Sequence, residues 1–344
     1  MLLIGAGAIG CRHLRNLATL GQQPLGIFDV VLKQAQKAAI ESGACVHNTL
    51  EEALAAGYQA ALICTPPSSR LEFVREAIRT GHQLFLEKPL AADIAAAQAI
   101  VTLVNQTATR CMVGYMLRFE PGLQCLRASI SRGDVGALVA IRAEVGQYLP
   151  DWRPGTRYQD NYICRPGMGG IIADASHELD YVTWLAGDME TIYCAGGALG
   201  DLEVPTPTLA AITMKSANGA LIEVHLDCIQ HGYARHCKAI GTRGTLIWDH
   251  RDGVTLIRPG GDREQIWHRP EDWPNRMYLE EMRHFVAWLD GQDIKPAADA
   301  ESAAVIVQIV HAALTSLETG RAMSALGTIF GKVGAGTQSL GARP

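Results

Sequence analysis

Through its first third this chain alternates short apolar runs with helical patterns, which leaves few folds open to it. Candidate strands at 2–5, 24–29, 44–46, 60–64, 83–86 and 111–114 are separated by helix-like stretches at 8–20, 31–41, 50–55, 68–80 and 93–108. Continuous apolar runs of this length belong to strands buried on both faces, so the alternation predicts a parallel sheet covered by helices on each side. After about residue 135 the pattern changes. Strand-like segments follow one another at 137–147, 190–198, 207–215, 219–228, 236–241, 244–249, 253–258 and 263–268, with turn signals such as Asn218-Gly219 and Gly260-Gly261 between them. Such a series indicates antiparallel hairpins. A helix at 174–186 interrupts it, and helices at 275–290 and 299–319 close it.

The predicted architecture is therefore α/β: an N-terminal doubly wound parallel sheet over 1–120, then an α+β domain with a mainly antiparallel sheet over 121–325. Residues 326–344, rich in Gly and Ala, read as a flexible tail. A chain of 344 residues with 48% hydrophobic and 19% charged residues has ample material for two cores. Its net charge of -5, with no basic stripe, argues against a nucleic-acid partner. The nine cysteines include no C-x-x-C pair, so no metal site is expected, and free thiols in that number fit the cytoplasm. No signal peptide is recognised, and no apolar run is read as long enough to span a membrane.

Gly5-Ala6-Gly7-Ala8-Ile9-Gly10 lies between the first strand and the first helix. In this G-x-G-x-x-G run Gly5 permits the tight turn, Gly7 lets backbone approach a pyrophosphate, and Gly10 allows close helix–strand packing. Ala8 and Ile9 open the helix whose N-terminus faces the anion. Asp29 ends the second strand, nineteen residues after Gly10, where a carboxylate accepts from the adenosine ribose. It would also repel a 2′-phosphate, and neither Val30 nor Val31 supplies an arginine. NAD is therefore expected over NADP.

Two further segments carry chemistry. Leu84-Phe85-Leu86-Glu87-Lys88-Pro89 puts Lys88 at the C-terminal end of the fifth strand, where open α/β sheets bind ligands and where a lysine can stabilise a developing alkoxide. Alone, it reads more readily as an exposed lysine at a strand end. Gly169 through Tyr181 carries His177, a side chain suited to acid–base work near neutrality, with Asp174 three residues earlier. The plainer alternative makes Asp174 or Ser176 an N-cap and His177 a first-turn residue.

Together, G-x-G-x-x-G, Glu87-Lys88-Pro89 and Gly169-Gly170-x(3)-Asp174-x-Ser176-His177-x-x-Asp180 resemble the glucose–fructose oxidoreductase/inositol dehydrogenase family (Gfo/Idh/MocA) over residues 2–322. Cys64-Thr65-Pro66-Pro67, Gly114 to Pro121 and Ser316 to Arg321 agree with it. The resemblance implies an NAD-dependent enzyme moving hydride between nicotinamide and a carbinol of a sugar, sugar acid, amino sugar or cyclitol. It implies catalytic roles for Lys88 and His177, with Asp174 or Asp180 as the partner of His177. It places Cys64, Thr65, Pro66, Glu87 and Arg70 with the glycine loop around the cofactor, Arg70 reaching either the cofactor or only the helix start. Tyr115 and Arg118 fall on the substrate side.

The segment 148–168 mixes aromatics with arginines, and a loop this long inside a compact domain tends to be functional. Trp152, Arg153, Arg157, Tyr162 and Arg165 are expected either to hold an anionic carbohydrate or to pack a subunit interface. The open sheet face is expected to be apolar and to drive a homodimer or homotetramer. Competing functions are an NAD-dependent glycoside hydrolase acting by transient oxidation and a non-catalytic NAD-binding regulator.

Overall fold

The computed structural model describes residues 1–270 and 275–325; the predicted tail 326–344 lies outside the described residues. Six parallel strands form the first sheet: β1 (Leu2–Ile4), β2 (Gly26–Phe28), β3 (Cys45–Val46), β4 (Ala60–Ile63), β5 (Gln83–Glu87) and β6 (Cys111–Gly114), in the order β3-β2-β1-β4-β5-β6. Helices α1 (Ala8–Thr19), α2 (Leu32–Ser42), α3 (Leu50–Ala55), α4 (Arg70–Arg79) and α5 (Ile94–Thr107) connect them. The order reverses between β1 and β4, and at such a switch point the strand C-termini diverge into a crevice. The apolar residues of β1 and β4 are almost entirely buried, each contributing about 1.5–3 kcal/mol where the side chain is large.

The second sheet has nine strands: β7 (Leu138–Gly146), β8 (Met189–Gly197), β9 (Leu209–Ser216), β10 (Leu221–Asp227), β11 (Ala234–Gly241), β12 (Gly244–Asp249), β13 (Gly253–Ile257), β14 (Arg263–His268) and β15 (Met323–Ser324). Their order is β14-β13-β12-β11-β7-β10-β9-β8-β15, antiparallel throughout except for β10 on β7. Its central strands alternate buried and outward residues. Ile141, Ala143, Ile212, Ile222, Val224, Cys237 and Ala239 face the core, where α8 (Ser176–Ala186) and α10 (Ala300–Thr319) pack.

Four expectations change at this level. The helix expected at 174–186 is two, α7 (Gly170–Asp174) and α8, separated by Ala175 at ψ 26. A further helix, α6 (Pro121–Arg132), was not foreseen; Glu120 caps it by accepting from the Leu123 N–H, and Pro121 opens it. The open face of the large sheet is mixed rather than uniformly apolar, with Tyr193, Leu221 and Ile247 sharing it with charged side chains. Arg142, Glu144, Glu223, His225, His236, Lys238 and Asp249 line a concavity of about 590 Å³ on it. Finally, Ala300–Thr319 is long and apolar enough to cross a membrane by length and composition. Here its buried stripe, including Ala303, Ile306, Val307 and Val310, packs against β8 and α5.

Candidate active site

The glycine loop fits a dinucleotide. Gly5 adopts φ +101, and a Cβ there would lie 2.9 Å from the Cys64 backbone carbon. At Gly10 a Cβ would stand 2.1 Å from the Gly5 carbonyl oxygen, so the loop and α1 approach each other through a bare Cα. Gly7 is different: nothing lies within 4 Å of its added Cβ, and Gly7 and Ala8 are exposed. That open space lies at the N-terminus of α1, which no side chain caps. Free helix N–H groups at an open glycine favour an anion.

Asp29 ties this loop to the end of β2. One carboxylate oxygen accepts from the Ala6 N–H at 2.6 Å and the other from the Val31 N–H at 2.7 Å. Each oxygen keeps a further lone pair for a ribose hydroxyl. Thr65, at the end of β4, is buried with its hydroxyl unpartnered, the kind of orphan group a bound cofactor would satisfy. Pro66 beside it is exposed.

Beyond β5 the Lys88 turn meets α7 of the second domain. Lys88 Nζ donates to the Asp174 backbone oxygen at 2.5 Å and lies 3.5 Å from Asp174 Oδ1. The Tyr162 hydroxyl donates to the same Oδ1. Burial, then the Asp174 charge, pushes the Tyr162 hydroxyl well above its usual range, so it stays a donor. His177, on the first turn of α8, is 7% exposed. Its ring stands edge-on to the buried Tyr115 ring with centroids 5.7 Å apart, and its Nδ1 has no partner among the described residues. Burial, then the Lys88 and Arg235 charges, holds its pKa well below the ordinary imidazole value. The imidazole is therefore neutral at physiological pH and able to accept a proton.

Several expectations fail on geometry. Asp174 engages Lys88 and Tyr162 rather than His177, and neither Asp174 nor Ser176 caps α8, whose N-cap is Ala175. Asp180 is equally unavailable to His177. It pairs with Arg118 through two hydrogen bonds of 2.9 and 2.6 Å, and Arg118 also donates to the Ala297 carbonyl. Arg118 is thus a buried strut, not a substrate ligand. Arg70 is 1% exposed and donates to the Glu87, Pro89 and Thr65 carbonyls, bracing the Lys88 turn instead of reaching a cofactor. Glu87 points inward too. Its Oε1 lies 2.6 Å from His13 Nε2 and its Oε2 accepts from the Lys88 N–H.

In the loop before α7, Trp152 Nε1 donates to the Gln147 carbonyl, while Arg153, Arg157 and Arg165 are exposed. Trp152, Arg153 and Arg157 border a cavity of about 220 Å³ that Asp160 also lines. Sequence reasoning missed Arg235. This β11 residue forms a buried pair with Glu178, the residue after His177, Nε to Oε1 at 2.7 Å. A long-range pair between a strand and a helix leaves no local signal.

Comparison with known proteins decides the family. A profile described as "Oxidoreductase family, NAD-binding Rossmann fold" matches residues 1–115, and the GFO/IDH/MocA C-terminal domain matches residues 123–247. The chain belongs to the GFO/IDH/MocA oxidoreductase family. Among its GFO/IDH/MocA relatives, inositol 2-dehydrogenase 2 of Paenarthrobacter aurescens is 24% identical, over 92% of this chain and 95% of that protein. The inositol 2-dehydrogenase of Corynebacterium glutamicum (strain R) is 27% identical over 84% of each. In fold, the chain resembles the UDP-N-acetylglucosamine 3-dehydrogenase of Acidithiobacillus ferrooxidans, with TM-score 0.79 and 19% identity over 92% of this chain and 97% of that one. These relatives are dehydrogenases, which gives glycoside hydrolysis no support. As a GFO/IDH/MocA protein the chain is an NAD-binding oxidoreductase acting on a small molecule.

Proposed function

We propose that this enzyme is an NAD-dependent dehydrogenase of a sugar or polyol carbinol, with Lys88 and His177 as its catalytic residues. The observation that carries the reading is the convergence of a lysine from the parallel sheet and a neutral, buried histidine from the second domain. Nicotinamide, when bound at the crevice, supplies the hydride acceptor or donor; the rest falls to the chain. His177 takes the hydroxyl proton of the carbinol as its C–H bond breaks. Lys88 donates to the oxygen as negative charge grows on it. Asp174 and Tyr162 hold the lysine at that point, and Arg70 and Glu87 fix the turn from which it projects. The reverse reduction uses the same groups.

Asp29 favours NAD over NADP in this reading, and the exposed Val30, Val31 and Leu32 beside it suit the apolar face of an adenine. The names of the inositol dehydrogenases point to a cyclitol or a sugar. Arg153 and Arg157, exposed at the cavity beside Trp152, suit a substituent bearing negative charge. A homodimer or homotetramer through the open face of the nine-stranded sheet, held by ion pairs, completes the reading, as does a cytoplasmic location consistent with nine free thiols.

The test is formation of reduced nicotinamide, followed by absorbance, against myo-inositol, neutral sugars, uronic acids and nucleotide sugars, with Lys88→Ala as control. Turnover on one class, lost in the variant, is the expected result. Tight NAD binding with no turnover on any class, unchanged by Lys88→Ala, would turn the reading toward a regulator.

A further inference from the structure

The two carboxylates that sequence spacing offers to His177 are both engaged elsewhere, one by Lys88 and Tyr162 and the other by Arg118. The turn that carries His177 is held instead by a pair built within the second domain. Arg235 leaves β11 toward the helical layer and places its Nε 2.7 Å from Glu178 Oε1, with the Glu178 side chain wholly buried and that of Arg235 13% exposed. Glu178 follows His177 in the chain and shares the first turn of α8. We propose that Arg235 is a positioning residue for His177: anchored on Glu178, its guanidinium fixes the first turn of α8 and presents a permanent positive charge to the imidazole. This rests on the reading of His177 as the proton acceptor.

Two physical facts support it. Removing either member of a buried pair leaves a naked charge, so the pair is a stiff anchor for whatever it bears. The turn of α8 that carries His177 has no side-chain cap, and this anchor fixes it instead. Second, Arg235 is one of the two cations named above as depressing the basicity of His177. A base that must be neutral before substrate binds gains from a neighbouring cation. The other groups around the imidazole have their own partners or no charge: Lys88 from the end of β5 and Asp174 from α7 hold each other, and Tyr115 presents a ring edge. Glu178 supplies the countercharge on the helix of His177 itself, and Oε2 of that carboxylate is unpartnered among the described residues.

The experiment is a pH titration of the histidine ring signals by NMR on the isotope-labelled full chain, with the His177 signal assigned by its loss in His177→Asn. It is paired with the pH profile of kcat/KM on a substrate that the absorbance panel identifies. Arg235→Gln should raise the His177 midpoint by roughly half a unit or more and carry the acid limb of kcat/KM upward with it. Glu178→Gln, which keeps an acceptor for Arg235 but removes the countercharge, should lower both. Arg235→Lys should restore the midpoint while leaving kcat a few-fold low, because the ammonium keeps the charge but not the planar Nε–H contact to Glu178 Oε1. Opposite shifts in the two Gln variants are not what a merely structural role produces. A midpoint that stays put in folded Arg235→Gln overturns the proposal; should that variant fail to fold, an unmoved midpoint in Glu178→Gln does so. An acid limb that survives His177→Asn refutes instead the assignment of His177.

Discussion

Lys88 and Asp174 stand 86 positions apart in the chain, yet Lys88 Nζ reaches both the backbone oxygen and the carboxylate of Asp174, at 2.5 and 3.5 Å. The lysine is thereby aimed by a residue of the other domain. Asp174→Asn keeps the backbone contact and the shape but removes the charge. It should reduce kcat by about 10-fold or more while leaving the Kd for NAD within two-fold, as expected of a group that positions an electrostatic donor. Steady-state kinetics combined with fluorescence titration of the cofactor separate the two effects. A weakened Kd with unchanged kcat would move Asp174 out of the catalytic centre.

The glycines of the first loop should separate stability from binding. Gly7 is extended and has open space where a side chain would go, so Gly7→Ala should melt within about 1–2 °C of the native protein. The added methyl occupies the space a pyrophosphate needs, and NAD affinity should fall by about 10-fold or more. Gly10→Ala would instead drive a methyl into the Gly5 carbonyl and should lower Tm as well. Thermal melts with and without NAD read both quantities; equal losses of Tm in the two variants would contradict the geometry.

Glu281, in α9 (Arg276–Leu289), is fully buried, and neither carboxylate oxygen has a partner among the described residues. Burial, then the nearby Glu87, holds its pKa well above the ordinary range. Folded protein therefore keeps a proton that the unfolded chain releases above about pH 4.5, so the native protein loses stability as pH rises from there toward the folded-state value. Glu281→Met lacks this penalty and fills the same volume. It should raise Tm, by more at pH 8 than at pH 5. A Tm gain that shrinks with rising pH would show that Glu281 has a partner when ionised.

Arg118 and Asp180 form a pair whose side chains are 9% and 0% exposed. Arg118→Ala strands a buried carboxylate and should cost about 3–5 kcal/mol, read from urea unfolding. Arg118→Met with Asp180→Leu removes both charges and should cost much less. If the single and double variants are equally unstable, packing rather than charge explains the arginine.

The parallel half of the fold was legible because buried strands and amphipathic helices write their periods directly into sequence. All six strands and five connecting helices fall within a few residues of where the pattern puts them. α6 escaped notice although its signals are present: Glu120 at the cap, Pro121 at the first turn and Gly133 in the left-handed conformation after its last residue. Lys88 and His177 stood out by motif. The roles of Arg70 and Arg118 did not, since a long cationic side chain looks the same whether it meets a ligand or a backbone carbonyl, and carbonyl acceptors leave no trace in sequence. The partner of Asp174 was hidden for a related reason. Spacing suggests a neighbour three residues away, whereas the fold brings one from another sheet.

Asp29 joins two tasks that are usually considered separately. The carboxylate proposed to choose the cofactor also latches the glycine loop, through Ala6, to the start of the following helix, through Val31. Redesign toward a phosphorylated dinucleotide by replacing Asp29 with a small neutral residue would therefore loosen the very turn that must receive the new ligand. Asparagine retains one acceptor and serine can bridge only one of the two amides. Any drift toward the other cofactor has to be preceded by a second hold on the loop, which makes the present preference harder to lose than a single contact would suggest.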